Sequence, residues 1–189
     1  MIYSSEMTDK ELILQAKSDP DAFQWIVERY WDRLFSYVRR LSYFSQEDIE
    51  DVLQDVFIKV YRYLNDYDDT YAFSTWIYQI ARNTVIDVLR KKSVRPQAIH
   101  LDTEEMMTVL RSSLNTEKEL HAKESLQDIK KAIDALPFKY REILTLRFLE
   151  EKDYTEIMDI MQIPKGTVAS LINRGKKILV EEAHKFNIV

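Results

Sequence analysis

Apolar positions recur along this chain at steps of three and four, and they nowhere alternate for long enough to predict a strand. Phe23, Ile26, Val27, Tyr30, Trp31, Leu34, Tyr37, Val38 and Leu41 form one such stripe. Asp19 or Ser18 is placed to cap it, with Pro20 in its first turn. Ser45-Gln46-Glu47-Asp48 opens a second stripe through Ile49, Val52, Leu53, Val56, Phe57, Val60, Tyr61 and Leu64. A turn follows over 65–70, and a third stripe then runs through Phe73, Trp76, Ile77, Ile80, Ala81, Thr84, Val85, Val88 and Leu89. It ends in Arg90-Lys91-Lys92, cations where a helix C-terminus favours them. A short helix over 12–17 is expected in front. The pattern predicts an all-α first domain over 1–92.

Periodicity weakens over 93–122, where six acids face four bases through Glu124, and this stretch reads as a linker. Periodicity returns near Ser125 with Leu126, Ile129, Ile133 and Leu136, and Pro137 breaks it. A helix through Tyr140, Ile143, Leu144, Leu146, Arg147 and Phe148 comes next, then a short one through Tyr154, Ile157, Ile160 and Met161. A turn over 163–166 leads to a last helix, which Thr167 caps or opens and which runs from Val168 to about Lys185. The second domain is therefore placed at 123–189. The fold class is all-α, two small helical domains joined by a flexible linker.

Composition removes several functions. The 189 residues include two glycines and no cysteine, so glycine-rich phosphate loops, thiolate metal sites and cysteine nucleophiles are excluded. His100, His121 and His184 lie outside any metal-ligand or catalytic spacing, and no enzyme, cofactor or metal is expected. The first residues lack the basic start and apolar run of a signal peptide, and no stretch reaches the length of a membrane span. A cytoplasmic protein is expected. Net charge is −5, from 27 basic and 32 acidic residues, a sign opposite to that of most nucleic-acid binders.

Three clusters cut across that total. From Pro164 to Lys177 there are four bases and no acid, on a short helix, a turn and a longer helix, the helix-turn-helix pattern. Ser170, Asn173, Arg174 and Lys177 share one face there and can offer donors to bases and phosphates, while Val168, Leu171, Ile172 and Ile178 fit the buried face. An ordinary helical hairpin with a basic end is the plainer alternative. In the second cluster, Arg82, Arg90, Lys91 and Lys92 interleave with Phe73, Trp76 and Tyr78, either a grip on unpaired bases or simply core aromatics. The third is acidic: Asp48, Asp51 and Asp55 share a narrow helical sector bordered by Gln54, which suits a basic partner, a metal or plain solvent.

Longer motifs narrow these options. The run Asp48-Ile49-Glu50-Asp51-Val52-Leu53-Gln54-Asp55-Val56-Phe57-Ile58-Lys59-Val60-Tyr61, followed by Phe73-Ser74-Thr75-Trp76-Ile77-Tyr78-Gln79-Ile80-Ala81-Arg82-Asn83, resembles region 2 of extracytoplasmic-function (group 4) sigma factors of the sigma-70 family. Leu136-Pro137-Phe138-Lys139-Tyr140-Arg141-Glu142, Tyr154-Thr155-Glu156-Ile157 and Pro164-Lys165-Gly166-Thr167-Val168 resemble their region 4. The likeness covers roughly residues 8–92 and 122–182.

The resemblance implies a specificity subunit that works with core RNA polymerase at promoters. Asp48, Asp51, Gln54 and Asp55 would dock on the clamp helices of the polymerase. Melting and capture of the −10 element would fall to the 65–73 loop with Asn65 and Phe73, and to Trp76, Asn83, Asp87, Arg90, Lys91 and Lys92. The −35 duplex would be read by Lys165, Thr167, Ser170, Asn173, Arg174, Lys176 and Lys177. The linker would run toward the active centre and RNA exit path, and an anti-sigma factor is an expected partner. Ala169 and Leu171 are apolar where family members usually carry a base, and the 65–73 loop holds Asp66, Asp68 and Asp69. A sigma-like decoy that sequesters a regulator, or an independent helix-turn-helix repressor, are the readings of other classes.

Overall fold

A computed structural model describes residues 7–42, 44–92 and 135–185. Among them every regular element is helical. They fall into two compact units, one drawn from 1–38 and 44–93, the other from 39–43 and 94–189. The 93–122 stretch and the apolar positions expected at Leu126, Ile129 and Ile133 lie outside the described residues.

In the first unit α1 spans Asp9–Ser18. A reciprocal capping box starts it: the Glu11 N–H donates to the Thr8 hydroxyl, and the Glu11 carboxylate accepts from the Thr8 N–H and hydroxyl. These bonds hold the Glu11 carboxyl below the usual carboxylate range. Asp19 closes α1 and caps the 3₁₀ turn Pro20–Ala22 by accepting from the Asp21 N–H at 3.0 Å. Helix α2, Phe23–Leu41, follows directly. Helix α3 runs Gln46–Tyr63 with Ser45 as its N-cap, and α4 runs Phe73–Lys92. Between them the chain makes a 3₁₀ turn, Leu64–Asp66, and then a loop.

The core of this unit is the meeting of the predicted stripes. Ile26 and Leu34 of α2, Leu53, Val56 and Val60 of α3, and Ile77, Ala81 and Val85 of α4 are wholly buried. Helix α1 is tied on by polar contacts. The Tyr30 hydroxyl donates to Asp9, and Arg29 donates to Asp9 at 2.9 Å and to the Met7 carbonyl. Burial, then the Asp9 bond and charge, push the Tyr30 phenol far above its ordinary value.

The second unit contains α5, Phe138–Leu144, which runs into a π-helical turn, Thr145–Leu149. Helix α6, Tyr154–Met161, is capped by Asp153, whose carboxylate accepts from the Thr155 and Glu156 N–H groups. Helix α7 is Lys165–Lys185.

The join between α6 and α7 differs from the sequence expectation. The pattern predicts a turn over 163–166 served by Gly166, with Thr167 opening the helix. Instead Gln162 takes the left-handed conformation, φ 56°, and ends α6 by donating its N–H to the Met158 carbonyl. Helix α7 begins at Lys165, so Gly166 lies in its first turn at negative φ. The Pro164 carbonyl accepts from Thr167 and Val168, which starts the ladder two residues earlier than the motif suggests.

The buried line along α7 is Val168, Ile172, Gly175, Leu179 and Ala183. Leu171 and Ile178, expected on that line, flank it half-buried. At Gly175 α7 packs close against α5: a Cβ there would meet the Leu144 side chain at 3.3 Å.

Candidate nucleic-acid and partner interfaces

Helix α3 shows how one amphipathic helix can carry a partner surface. Ile49, Val52, Leu53, Val56, Phe57 and Val60 face inward. Asp51, Gln54 and Asp55 project from the other side and are exposed, and Asp48 is half-buried. The structure thus brings the four predicted residues to one helix face. No group of three or more His, Cys, Asp or Glu among the described residues could hold a metal ion. Two side chains on this face were not anticipated: Ile58 is 49% exposed and Tyr61 47%. Ile58 falls outside the 3.6-residue stripe, which is the signal that marks it.

The end of α4 presents a second surface. Asn83, Asp87 and Arg90 recur at steps of four and three and are exposed, as is Lys91. Arg90 and Asp87 approach to 3.8 Å in an exposed pair. The side chain of Lys92 lies outside the described residues. At the start of α4, Phe73 is buried, its ring set against Tyr30, Tyr67 and Trp76. Trp76 is half-buried and packs on Tyr67 at 5.1 Å. The core alternative for these aromatics therefore describes the position of Phe73.

The loop between α3 and α4 is internally braced. The Tyr67 hydroxyl donates to the Tyr71 carbonyl, and the Asp68 carboxylate accepts the Thr70 N–H at 3.0 Å. Asp69 lies 3.6 Å from the Lys10 ammonium, both well exposed. Two of the three loop acids are thus directed to groups of the same unit, and Asn65 and Asp66 remain exposed in the 3₁₀ turn. Burial first, then the charge of Asp69, raises the Tyr67 phenol above its ordinary value. An open groove of about 560 Å³ separates the loop from α1, lined by Lys10, Ile13, Leu14, Lys17, Tyr67 and Phe73 among others.

Helix α7 carries the third surface. Asn173, Arg174 and Lys177 are exposed and Ser170 half-buried, on the side opposite Val168, Ile172 and Leu179. Lys165 and Thr167 are exposed at its first turn. Lys176, grouped with the reading positions by the motif, lies on the flank instead. Its ammonium sits 4.7 Å from the Phe148 ring centroid, and Arg147 also approaches that ring. Desolvation, and then the Arg147 charge, lower the Lys176 value. Ala169 and Leu171 are half-buried beside the exposed face.

Two helical units, the second built around a helix-turn-helix, match two known sequence families. Residues 26–95 match Sigma-70 region 2 and residues 126–179 match Sigma-70, region 4. The ECF RNA polymerase sigma-E factor of Escherichia coli K12 is 36% identical over 182 residues, covering 93% of this chain and 94% of that protein. The ECF RNA polymerase sigma factor SigW of Bacillus subtilis is 34% identical over 183 residues, covering 92% and 96%. This chain belongs to the ECF sigma factors of the sigma-70 family.

Solved structures agree on the fold. CnrH, determined in complex with the cytosolic domain of CnrY, gives a TM-score of 0.67 at 20% identity, covering 94% of this chain and 97% of that one. The sigma factor RpoE of Bartonella quintana, determined with the anti-sigma factor NepR, gives 0.65 at 20% identity, covering 86% and 96%. Among the described residues no helix is long and apolar enough to cross a membrane.

Proposed function

We propose that this sigma factor binds core RNA polymerase and directs it to promoters through three separate surfaces, acting in the cytoplasm as a specificity subunit and not as a catalyst. The observation that carries the assignment is the side of α7 facing away from its core. Ser170, Asn173, Arg174 and Lys177 gather there on a helix whose first 13 residues, Lys165 to Lys177, contain no acid, in a chain of net charge −5. Such a face can enter a major groove, with Asn173 and Arg174 donating to base edges and Lys165 and Lys177 meeting phosphates.

The acidic face of α3, Asp48, Asp51, Gln54 and Asp55, meets the polymerase, since carboxylates on that face would repel DNA but attract a basic protein surface. The braced 65–73 loop and the exposed Asn83, Asp87, Arg90 and Lys91 of α4, with Asn65, Trp76 and Lys92, receive the opened −10 strand. Phe73 supports the loop from beneath. Residues 1–92 form the polymerase-binding and −10 domain, 93–122 connect, and 123–189 form the −35 domain. Both structural relatives were solved with a second protein bound, for RpoE an anti-sigma factor, which supports an anti-sigma partner for this chain too.

Permanganate footprinting for opened thymines, paired with DNase I footprinting for protected duplex, tests the division of labour on promoter fragments. With core polymerase and this protein together, thymines of the −10 region become reactive, and the −35 duplex is protected. Arg174→Ala removes the −35 protection first. Reactive thymines with core alone, or protection that Arg174→Ala leaves intact, contradict the assignment.

A further inference from the structure

Ile58 occupies the place in α3 that amphipathic geometry reserves for polar residues. At 100° per residue it points about 180° away from the middle of the buried line of Ile49, Val52, Leu53, Val56 and Val60. It is 49% exposed. Gln54 and Asp55 lie one turn before it, Asp51 two turns before it, and Tyr61 and Arg62 one turn after it.

Tyr61 is held in place by Phe23, edge-to-face at 5.1 Å between centroids, so part of its ring stays on the surface in a fixed pose. A lone exposed apolar side chain is ordinary on any protein. An isoleucine and an anchored tyrosine bordered by Asp51, Gln54, Asp55 and the exposed Arg62 instead reproduce the anatomy of an interface, with an apolar centre and a polar rim. Charge complementarity selects the occupant: Asp48, Asp51 and Asp55 outweigh the single cation Arg62, so the rim is acidic on balance, which suits a basic protein surface and disfavours nucleic acid.

We propose that Ile58, backed by Tyr61, is the apolar anchor of this face and is buried against the basic surface of core RNA polymerase on which α3 docks. The inference rests on the polymerase-facing reading of the acidic stripe and adds a separate role within it. Carboxylates act at a distance and govern the association rate and its salt dependence. Burial of Ile58 acts only at contact and governs how long the complex lasts.

Binding kinetics of the full chain with core polymerase, at two salt concentrations, separate the two roles. Ile58→Ala is expected to speed dissociation about tenfold, the scale set by the lost apolar burial, and to leave the salt dependence of association unchanged. Asp51→Asn with Asp55→Asn is expected to slow association and flatten its salt dependence. Ile58→Leu restores the long-lived complex. Thermal unfolding serves as the control, since alanine at this exposed helical site leaves the fold intact. If Ile58→Ala dissociates at the wild-type rate while the wild type binds core normally, the anchor is overturned and the docking face stands. If the wild-type chain does not bind core at all, the docking face falls with it.

Discussion

Gly175 of α7 packs directly against Leu144 of α5: a Cβ on Gly175 would lie 3.3 Å from the Leu144 Cγ and Cδ1. Leu144 is itself buried and cannot swing aside freely. Gly175→Ala is therefore expected to cost about 1–2 kcal/mol in denaturant unfolding, because overpacking outweighs the better helix propensity of alanine. Gly166 has open space around the same position. There Gly166→Ala is expected to stabilise by up to about 1 kcal/mol. Gln162→Gly, which relieves a left-handed side chain, is expected to stabilise by about 1 kcal/mol. If Gly175→Ala matches Gly166→Ala, the crossing is looser than described.

These three residues show what a sequence can and cannot convey. Apolar spacing was enough to place the helices of the described residues, because a buried stripe needs only its angle around the axis. Ser45 was readable as the cap of α3 because capping is local chemistry, and Asp19 and Pro20 as a helix start, although they open the 3₁₀ turn ahead of α2 and not α2 itself. The turn before α7 was not readable: two glycines in 189 residues drew attention to Gly166, yet a glutamine takes the left-handed position. The role of Gly175 depends on Leu144, 31 residues away in sequence, which periodicity does not report.

The interfaces divide the same way. Ser170, Asn173, Arg174 and Lys177 share a face by spacing alone, and the structure leaves them facing away from the core. Lys176 is adjacent in sequence but is diverted onto Phe148, a contact set by how the π-helical turn meets α7. Exposure of Ile58 and Tyr61 depends on which side of α3 its neighbours cover. Spacing leaves that side open for Tyr61, at the margin of the stripe.

Tyr30 and Asp9 predict an alkaline transition. The Tyr30 phenol is raised in the folded state, so the stability linked to it is present below its unfolded value, about 10, and is lost as pH climbs above that value. Tyr30→Phe should cost about 1–3 kcal/mol near neutral pH, the scale of a hydrogen bond to a charged group. The variant should also lose less further stability than the wild type between pH 9 and 11. Parallel curves for the two proteins would show that the bond does not hold α1 to α2.

Lys176 and Lys177 should separate although they are neighbours. The Lys176 ammonium is disfavoured by folding, so stability should rise as pH climbs through its lowered value toward the unfolded one. Lys176→Met should keep the stem on Phe148, flatten that rise and leave the fold at least as stable at pH 7. Lys177→Met should leave stability alone and weaken promoter binding by holoenzyme uniformly across sequences, lowering the salt slope by about 1. Equal effects of both substitutions on DNA binding would place Lys176 back on the reading face.

Charge reversal on α3 tests the polymerase face independently of DNA. Asp51→Lys with Asp55→Lys should weaken binding to core polymerase by at least about tenfold at low salt, and the deficit should shrink as salt rises. An unchanged affinity would leave those carboxylates as a solvated surface.

Run-off transcription from genomic promoter fragments, with purified core polymerase and this protein together and apart, bears most directly on the central claim. Discrete transcripts that require both components, and that Arg174→Ala diminishes at promoters with a −35 element, are the predicted result. No specific transcript from a competent core, or tight sequence-specific DNA binding by the protein alone, would contradict the account.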